Sequence, residues 1–216
     1  LKNSGFELSL TYSEAEKAFK YNTTLNVTTI KNEVLSLGYG RNDIYVGNTV
    51  TEVGQPIGMW YVLETDGLFQ TTQDVEGHTT DGQIIQPGAQ PGDIRFVDHN
   101  GDGQITNDDK VVMGNPWADI ELGFNFNASY QNFEFSMTWF SSLGATVYNG
   151  PMSLMGRFDD NSNYPAGIKP WTPENPNTDV PRAYYGTTLN SRGDTDRWLE
   201  NGNFARMKFI SLAYNL

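Results

Sequence analysis

Five stretches of this chain repeat with a period of two residues, and that periodicity confines the fold more than any other feature. From Gly5 to Tyr12 the even positions Phe6, Leu8, Leu10 and Tyr12 are apolar, while Glu7, Ser9 and Thr11 are polar. Such alternation places successive side chains on opposite faces of a strand. After a charged spacer from Ser13 to Ala18 it returns, with Phe19, Tyr21, Leu25 and Val27 set against Lys20, Asn22, Asn26 and Thr28; two strands and a short turn make a hairpin. A second hairpin sets Ile120, Leu122, Phe124, Phe126, Ala128 and Tyr130 against Glu121, Asn125, Asn127 and Ser129. It turns at Gln131 and Asn132, and then sets Phe133, Phe135, Met137 and Trp139 against Glu134, Ser136 and Thr138. A last strand runs from about Phe204 to Leu216, where Ile210, Leu212, Tyr214 and Leu216 oppose Ser211, Ala213 and Asn215. The pattern predicts an all-β chain of antiparallel strands.

The connections between these strands are very unequal. Two turns are short, whereas about 89 residues run from Lys31 to Asp119 and about 63 from Ser141 to Asn203. Short turns on one side and long loops on the other describe a transmembrane β-barrel, and Tyr12, Phe19, Tyr130 and Phe133 stand beside the short turns, where an aromatic girdle meets a membrane interface. A soluble β-sandwich with one buried face uses the same alternation. Period two is silent on whether the apolar face meets lipid or a second sheet, so both readings stand at this point.

Composition removes other classes. The 216 residues carry 14 basic and 26 acidic side chains, a formal charge of −12, which argues against nucleic-acid binding because phosphate recognition needs a dense Lys/Arg footprint. With no Cys there is no disulfide scaffold, no Cys-based metal site and no thiol nucleophile. No run of about 18 apolar residues and no signal-peptide pattern occurs, which excludes a membrane helix but not membrane strands, since these need only about 9 to 11 alternating residues each. No internal repeat or domain boundary stands out.

The first long connection contains strand-like pieces at Ile44 to Val46 and Ile57 to Leu63. The second is punctuated by Pro151, Pro165, Pro170, Pro173, Pro176 and Pro181, expected to exclude regular sheet or helix and to leave a compact, rigid loop. Among the loop aromatics, Trp60, Trp171, Tyr184, Tyr185 and Trp198 are candidates to stack on sugar rings or peptide side chains, or else to pack the loops together.

One motif carries ligand chemistry. From Asp98 to Asp109 the oxygen-bearing residues fall at calcium-loop spacing: Asp98, Asn100 and Asp102 offer side-chain oxygens, Gln104 a carbonyl, Thr106 a water-mediated contact and Asp109 the closing carboxylate, with Gly103 at the sharp turn. An all-oxygen set favours Ca²⁺ over Zn²⁺. Closure by the shorter Asp and strand-like flanks (Ile94 to Val97, Lys110 to Met113) separate the loop from an EF-hand, and Asn-Gly and Asp-Gly also make plain tight turns.

Searches for catalytic motifs are empty: no phosphate-binding loop, dinucleotide fingerprint, nucleophile elbow or zinc-protease helix occurs. His78 and His99 are expected to be solvated surface residues, and the adjacent pairs Asp108–Asp109 and Asp159–Asp160 point apart in extended chain. No catalytic residue is assigned.

Several segments together resemble a known family, the SusC/RagA-type TonB-dependent transporters of the Bacteroidetes outer membrane. They are Lys2 to Leu10, the Pro56-Ile-Gly58 turn with Asp66-Gly67-Leu-Phe69, and Pro91 to Asp98 running into Asn100-Gly-Asp-Gly103. They continue through Val111 to Pro116, Gly123 to Tyr130 and Trp198 to Tyr214. The resemblance implies strands of a 22-stranded outer-membrane barrel, with residues 1–216 part of a single barrel domain whose plug and closing strands lie outside this sequence. It implies import of oligosaccharides or peptides, driven by TonB, with a SusD-like surface lipoprotein as lid over extracellular loops. The polar strand faces, with Glu7, Glu121, Asn125 and Glu134, would then line the lumen, and no substrate residue transfers from the family. Alone, such a fragment is expected neither to insert nor to transport. The competing expectation is a soluble extracellular β-sandwich that binds glycan through aromatics and calcium.

The charge is unevenly placed. Lys31 to Asp119 holds 4 basic and 14 acidic residues, Ser141 to Asn203 holds 5 and 7, and the strand regions sum to zero. The acidity belongs chiefly to one long connection.

Overall fold

The computed structural model describes residues 1–38, 40, 42–157, 163, 165–184, 186 and 189–216. Five long strands, β1 (Lys2–Glu14), β2 (Phe19–Glu33), β3 (Ile120–Tyr130), β4 (Phe133–Leu143) and β5 (Phe204–Tyr214), form one antiparallel sheet in which spatial order follows chain order. This is the up-and-down meander of barrel walls. No helix among the described residues is long and apolar enough to cross a membrane.

Register keeps the alternation in phase from strand to strand. Leu10, Leu25, Phe124 and Trp139 form one row, and Thr11, Thr24, Asn125 and Thr138 form the next row on the opposite face. The polar face is tied by cross-strand hydrogen bonds: Asn22 Nδ2 donates to Ser13 Oγ at 2.6 Å, and Thr138 Oγ1 donates to Asn125 Oδ1 at 2.9 Å.

The apolar face is uncovered. Phe6 is 59% exposed, Leu10 56% and Leu212 71%, and among the described residues no second sheet lies over them. A sandwich would bury this face, so the soluble alternative lacks support, whereas lipid covers such a face at no polar cost. The sheet is a section of a transmembrane β-barrel, one of the two readings the alternation left open and the one the family resemblance implied.

One irregularity sits in β5. Register slips between Thr138 and Trp139 of β4, so Phe209 faces Thr138 and Met207 faces Trp139, with Lys208 inserted as a bulge. Tyr214, Leu212 and Ile210 share the apolar face, and beyond the bulge Met207 takes over that face while Arg206 and Phe204 turn to the polar one. This explains why the simple alternation of Ile210 to Leu216 fades toward Phe204.

The two long connections do not form separate loops. Strands at Lys110–Gly114, Met59–Leu63, Thr49–Thr51 and Ile44–Val46 make a four-stranded sheet, and Thr65–Leu68 pairs with Ile94–Phe96. Leu63, Leu68, Ile94 and Phe96 from the first connection bury a common core with Trp171 from the second. Polar ties cross between them as well: Leu63 N donates to Asp194 O at 2.9 Å, Trp171 Nε1 to Gln70 Oε1 at 2.9 Å, and Lys110 pairs with Asp194 at 2.8 Å. Gly92 lies where the connections meet. Its φ of +87° favours glycine, and a Cβ there would run into the Trp171 ring.

The prolines are less restrictive than expected. A short helix forms at Gly150–Met155 with Pro151 in its first turn, where the missing N–H has no intrahelical partner to lose, and Asn149 caps it by accepting from Met152 N. Thr146–Tyr148 also pairs with Leu199–Asn201. Regular structure therefore exists in the second connection, around Pro151 and outside the run from Pro165 to Pro181.

Candidate functional site

The turn side of the sheet carries a row of rings. Tyr12, Phe19, Tyr130, Phe133 and Tyr214 stand on the apolar face of successive strands, each about half exposed. Phe133 and Tyr214 have centroids 4.9 Å apart, and Tyr21 bridges Tyr12 and Phe19 at 5.7 Å from each. Phe19, Tyr130, Phe133 and Tyr214 share one register row and Tyr12, opposite Thr23, stands further along; rings gathered at one end of an apolar face are what a bilayer interface selects. The first four residues were legible from their places beside the turns; Tyr214 needed the pairing of β5.

The opposite face is polar and carries Glu7, Glu121 and Glu134, with Asn22, Asn26, Asn125 and Asn127 between them. Near the long-loop end this wall changes character on β4 and β5. Phe140 and Phe204 lie 5.9 Å apart, Lys208 Nζ sits 4.3 Å from the Phe140 ring centre, and Arg206 Cζ sits 5.2 Å from that of Phe204. Sequence reasoning missed this cluster, because the bulge that assembles it leaves no signal in a period-two reading.

The Asp98–Asp109 segment is a tight loop held by its own amides. Asp98 Oδ1 accepts from Gly101 N at 2.8 Å, and its Oδ2 accepts from Gly103 N at 2.9 Å and Thr80 Oγ1 at 2.8 Å. Burial works to raise its pKa, but those hydrogen bonds outweigh it and hold the carboxyl below the ordinary value. Asn100 Oδ1 accepts from Asp102 N at 2.9 Å, and Asp102 Oδ1 from Gln104 N at 2.9 Å. Asp109 is fully buried and accepts from His99 N at 3.1 Å and Thr106 N at 2.7 Å. Gln104 presents no side-chain bond in this ladder. Among the described residues no group of three or more His, Cys, Asp or Glu side chains is gathered to hold a metal ion, so a cation here would have to draw Asp98, Asp102 and Asp109 together.

The two histidines differ: His99 is exposed, as expected, and His78 is not. His78 is half-buried against Phe69, with centroids 5.5 Å apart, its Nε2 lies 3.0 Å from Phe96 O, and desolvation pulls its pKa down. His99 Nε2 lies 2.8 Å from Glu64 Oε2 at the surface. His78 departs from expectation because Phe69 and Phe96 build a core under the loop.

The loop tryptophans serve packing. Trp60 Nε1 donates to Thr146 O at 2.8 Å, Trp198 Nε1 to Arg192 O at 3.1 Å, and Trp171 and Trp198 are buried. Tyr184 is exposed, under the Arg182 guanidinium at 4.9 Å, and Tyr185, Asp159 and Asp160 lie outside the described residues. An open cleft of about 820 Å³ remains between Thr65–Gln70 and Pro176–Asp179, lined also by Arg197, whose Nη1 donates to Asp179 O at 2.6 Å.

A one-sided apolar sheet, a ring belt beside short turns and a body built from the opposite connections define a class: a section of an outer-membrane type of barrel wall with its surface loops. Comparison with known proteins shows what the chain is similar to. No protein-family model matches the chain. Over its whole length it is 31% identical to one TonB-dependent receptor of Formosa agariphila and 28% to another, and 27% to the TonB-dependent receptor SusC of Bacteroides thetaiotaomicron. Among solved structures, 98% of the chain superposes on the RagAB peptide transporter with a TM-score of 0.72 at 21% identity, and on the open-open state of the RagAB peptide importer with 0.74 at 20%. The resemblance read from the motifs holds from end to end: the chain is similar to SusC/RagA-type TonB-dependent receptors. It spans only 20% to 22% of the length of these relatives.

Proposed function

We propose that this chain is part of an outer-membrane transporter that imports oligosaccharides or peptides, energised through TonB and working with a SusD-like surface lipoprotein. The observation that supports it most is the sheet, with a bare apolar face, an aromatic belt on the short-turn side and a polar face that would line a lumen. On this reading the short turns are periplasmic, and the body from the two long connections is extracellular, where substrate and lipoprotein would meet it. The role is transport, with no catalytic step assigned to any residue. The test uses the full-length receptor: its deletion should abolish uptake of one class of oligosaccharide or peptide, and the receptor should co-purify with a surface lipoprotein. Unchanged uptake of every such substrate, or a receptor isolated without a partner, would overturn the reading.

We also propose Ca²⁺ as a ligand of Asp98, Asn100, Asp102, Gln104 and Asp109. Carboxylates already turned to amides would have to swing inward, so binding would carry a measurable heat and raise the melting temperature of the loop body. No heat and no shift up to millimolar Ca²⁺ would remove the proposal.

A further inference from the structure

The cluster on the polar face of β4 and β5 is built in a way that a plain barrel wall does not require. Were Lys208 held in the regular ladder instead of bulged, Phe204 and Arg206 would fall in step with Ile210, Leu212 and Tyr214 and face lipid. The bulge reverses that phase, so a cation that would be costly in the apolar band stands on the channel side, and Lys208 reaches the Phe140 ring on the same side.

Neither cation is neutralised there. In a chain of net charge −12, Arg206 and Lys208 are exposed and make no ion pair among the described residues; their neighbours are the faces of Phe204 and Phe140. Contact with a ring face orients a cation but uses none of its N–H donors, so the donors of both side chains remain available to an oxyanion. Of the acidic residues nearest that end of the polar face, Glu7 stands on β1, and Glu121 on β3 is opposite Ser142 in the row that holds Phe204, without pairing with either cation. Apart from Glu121 the neighbours are hydroxyls and amides, with Thr138 bonded to Asn125 further along the face and Ser142 opposite Phe204. Cations over rings, next to hydroxyl and amide groups, fit a polyhydroxylated chain that bears negative charge. The cluster also sits within about 10 Å of the long-loop ends of β4 and β5, at roughly three residues of strand rise, where a substrate entering the lumen first meets the wall.

We infer that Phe140, Phe204, Arg206 and Lys208 form a binding site on the channel wall for the carboxylate or sulfate groups of an acidic oligosaccharide. This deepens the transport reading above and rests on it. The experiment measures binding of three hexasaccharide probes of equal length, one neutral, one uronate-bearing and one sulfated, to the purified full-length receptor. Arg206→Gln with Lys208→Gln should weaken at least one anionic probe by about tenfold and flatten the salt dependence of its binding, leaving the neutral probe unchanged. Arg206→Lys with Lys208→Arg keeps the charges and should retain anionic binding, which separates lost charge from lost folding. Equal weakening of all three probes, or unchanged anionic binding, overturns the assignment. So does unchanged anionic binding with altered protease sensitivity of the receptor interior, which would make the cluster an internal contact. Wild-type receptor that binds and imports none of the three would instead remove the glycan-import reading beneath it.

Discussion

Phe124 and Asn125 are consecutive residues at the centre of β3, and they are expected to respond oppositely to the same substitution. Phe124 sits on the apolar face between Leu25 and Trp139, while Asn125 sits on the polar face between Thr24 and Thr138. Phe124 lies six residues along β3 from Tyr130 in the ring belt, about 20 Å of strand, or about 16 Å along the membrane normal at a tilt near 40°. In an apolar band about 25 Å tall that is close to mid-depth, where an arginine costs about 2–4 kcal/mol. Asn125→Arg removes one hydrogen bond from Thr138, worth about 1 kcal/mol, and places its charge in a watered lumen. Phe124→Arg should therefore destabilise the full-length receptor by at least about 2 kcal/mol more than Asn125→Arg. Denaturant titration of receptor folded into lipid bilayers measures both, with Phe124→Leu as the control for lost ring volume. Equal costs, or a greater cost at Asn125, would refute the assignment of faces and with it the barrel.

Other outcomes follow from the loop body and the sheet edges. Gly92→Ala adds a Cβ into the Trp171 ring at a φ of +87°, and should cost the loop body about 2–4 kcal/mol, seen as a lowered melting temperature without loss of membrane insertion. Burial works to raise the pKa of Asp194, but hydrogen bonds from Arg192 and Lys110 bring it down to about 2 from 3.8. A lowered folded-state pKa gives stability that is complete above about pH 4 and is lost as pH falls toward 2, roughly 2 kcal/mol in all; Asp194→Asn should abolish that part of the acid dependence. The outer edges of β1 and β5 have no partner in the five-stranded sheet, and unpaired backbone groups are costly in lipid. Residues 1–216 expressed alone should give no heat-modifiable monomer in detergent; a stable one would contradict this.

The sheet was legible because its physics is local. Alternation from Phe6 to Tyr12 and from Ile120 to Trp139 follows from one face meeting lipid, and each strand carries that constraint in its own residues. What lay beyond reach depended on distant pairing. The bulge at Lys208 is visible only against Thr138 and Trp139, so the Phe140–Arg206 cluster stayed hidden. Likewise, the sequence leaves Trp60 and Trp198 as either stacking platforms or packing groups, and Thr146 O and Arg192 O decide for packing; His78 reads as solvated, but Phe69 and Phe96 close around it. The calcium-like spacing located a real loop, but spacing does not record where each carboxylate points, and Asp109 points to amides.

The shared core beneath the long connections bears on movement. Leu63, Phe96 and Trp171 bind the two connections side by side, and Asp194 fastens them through Leu63 N and Lys110. They cannot flap as two separate shutters. On the transport reading, uncovering a channel mouth would move the two connections as one block, or else pull Trp171 from its socket.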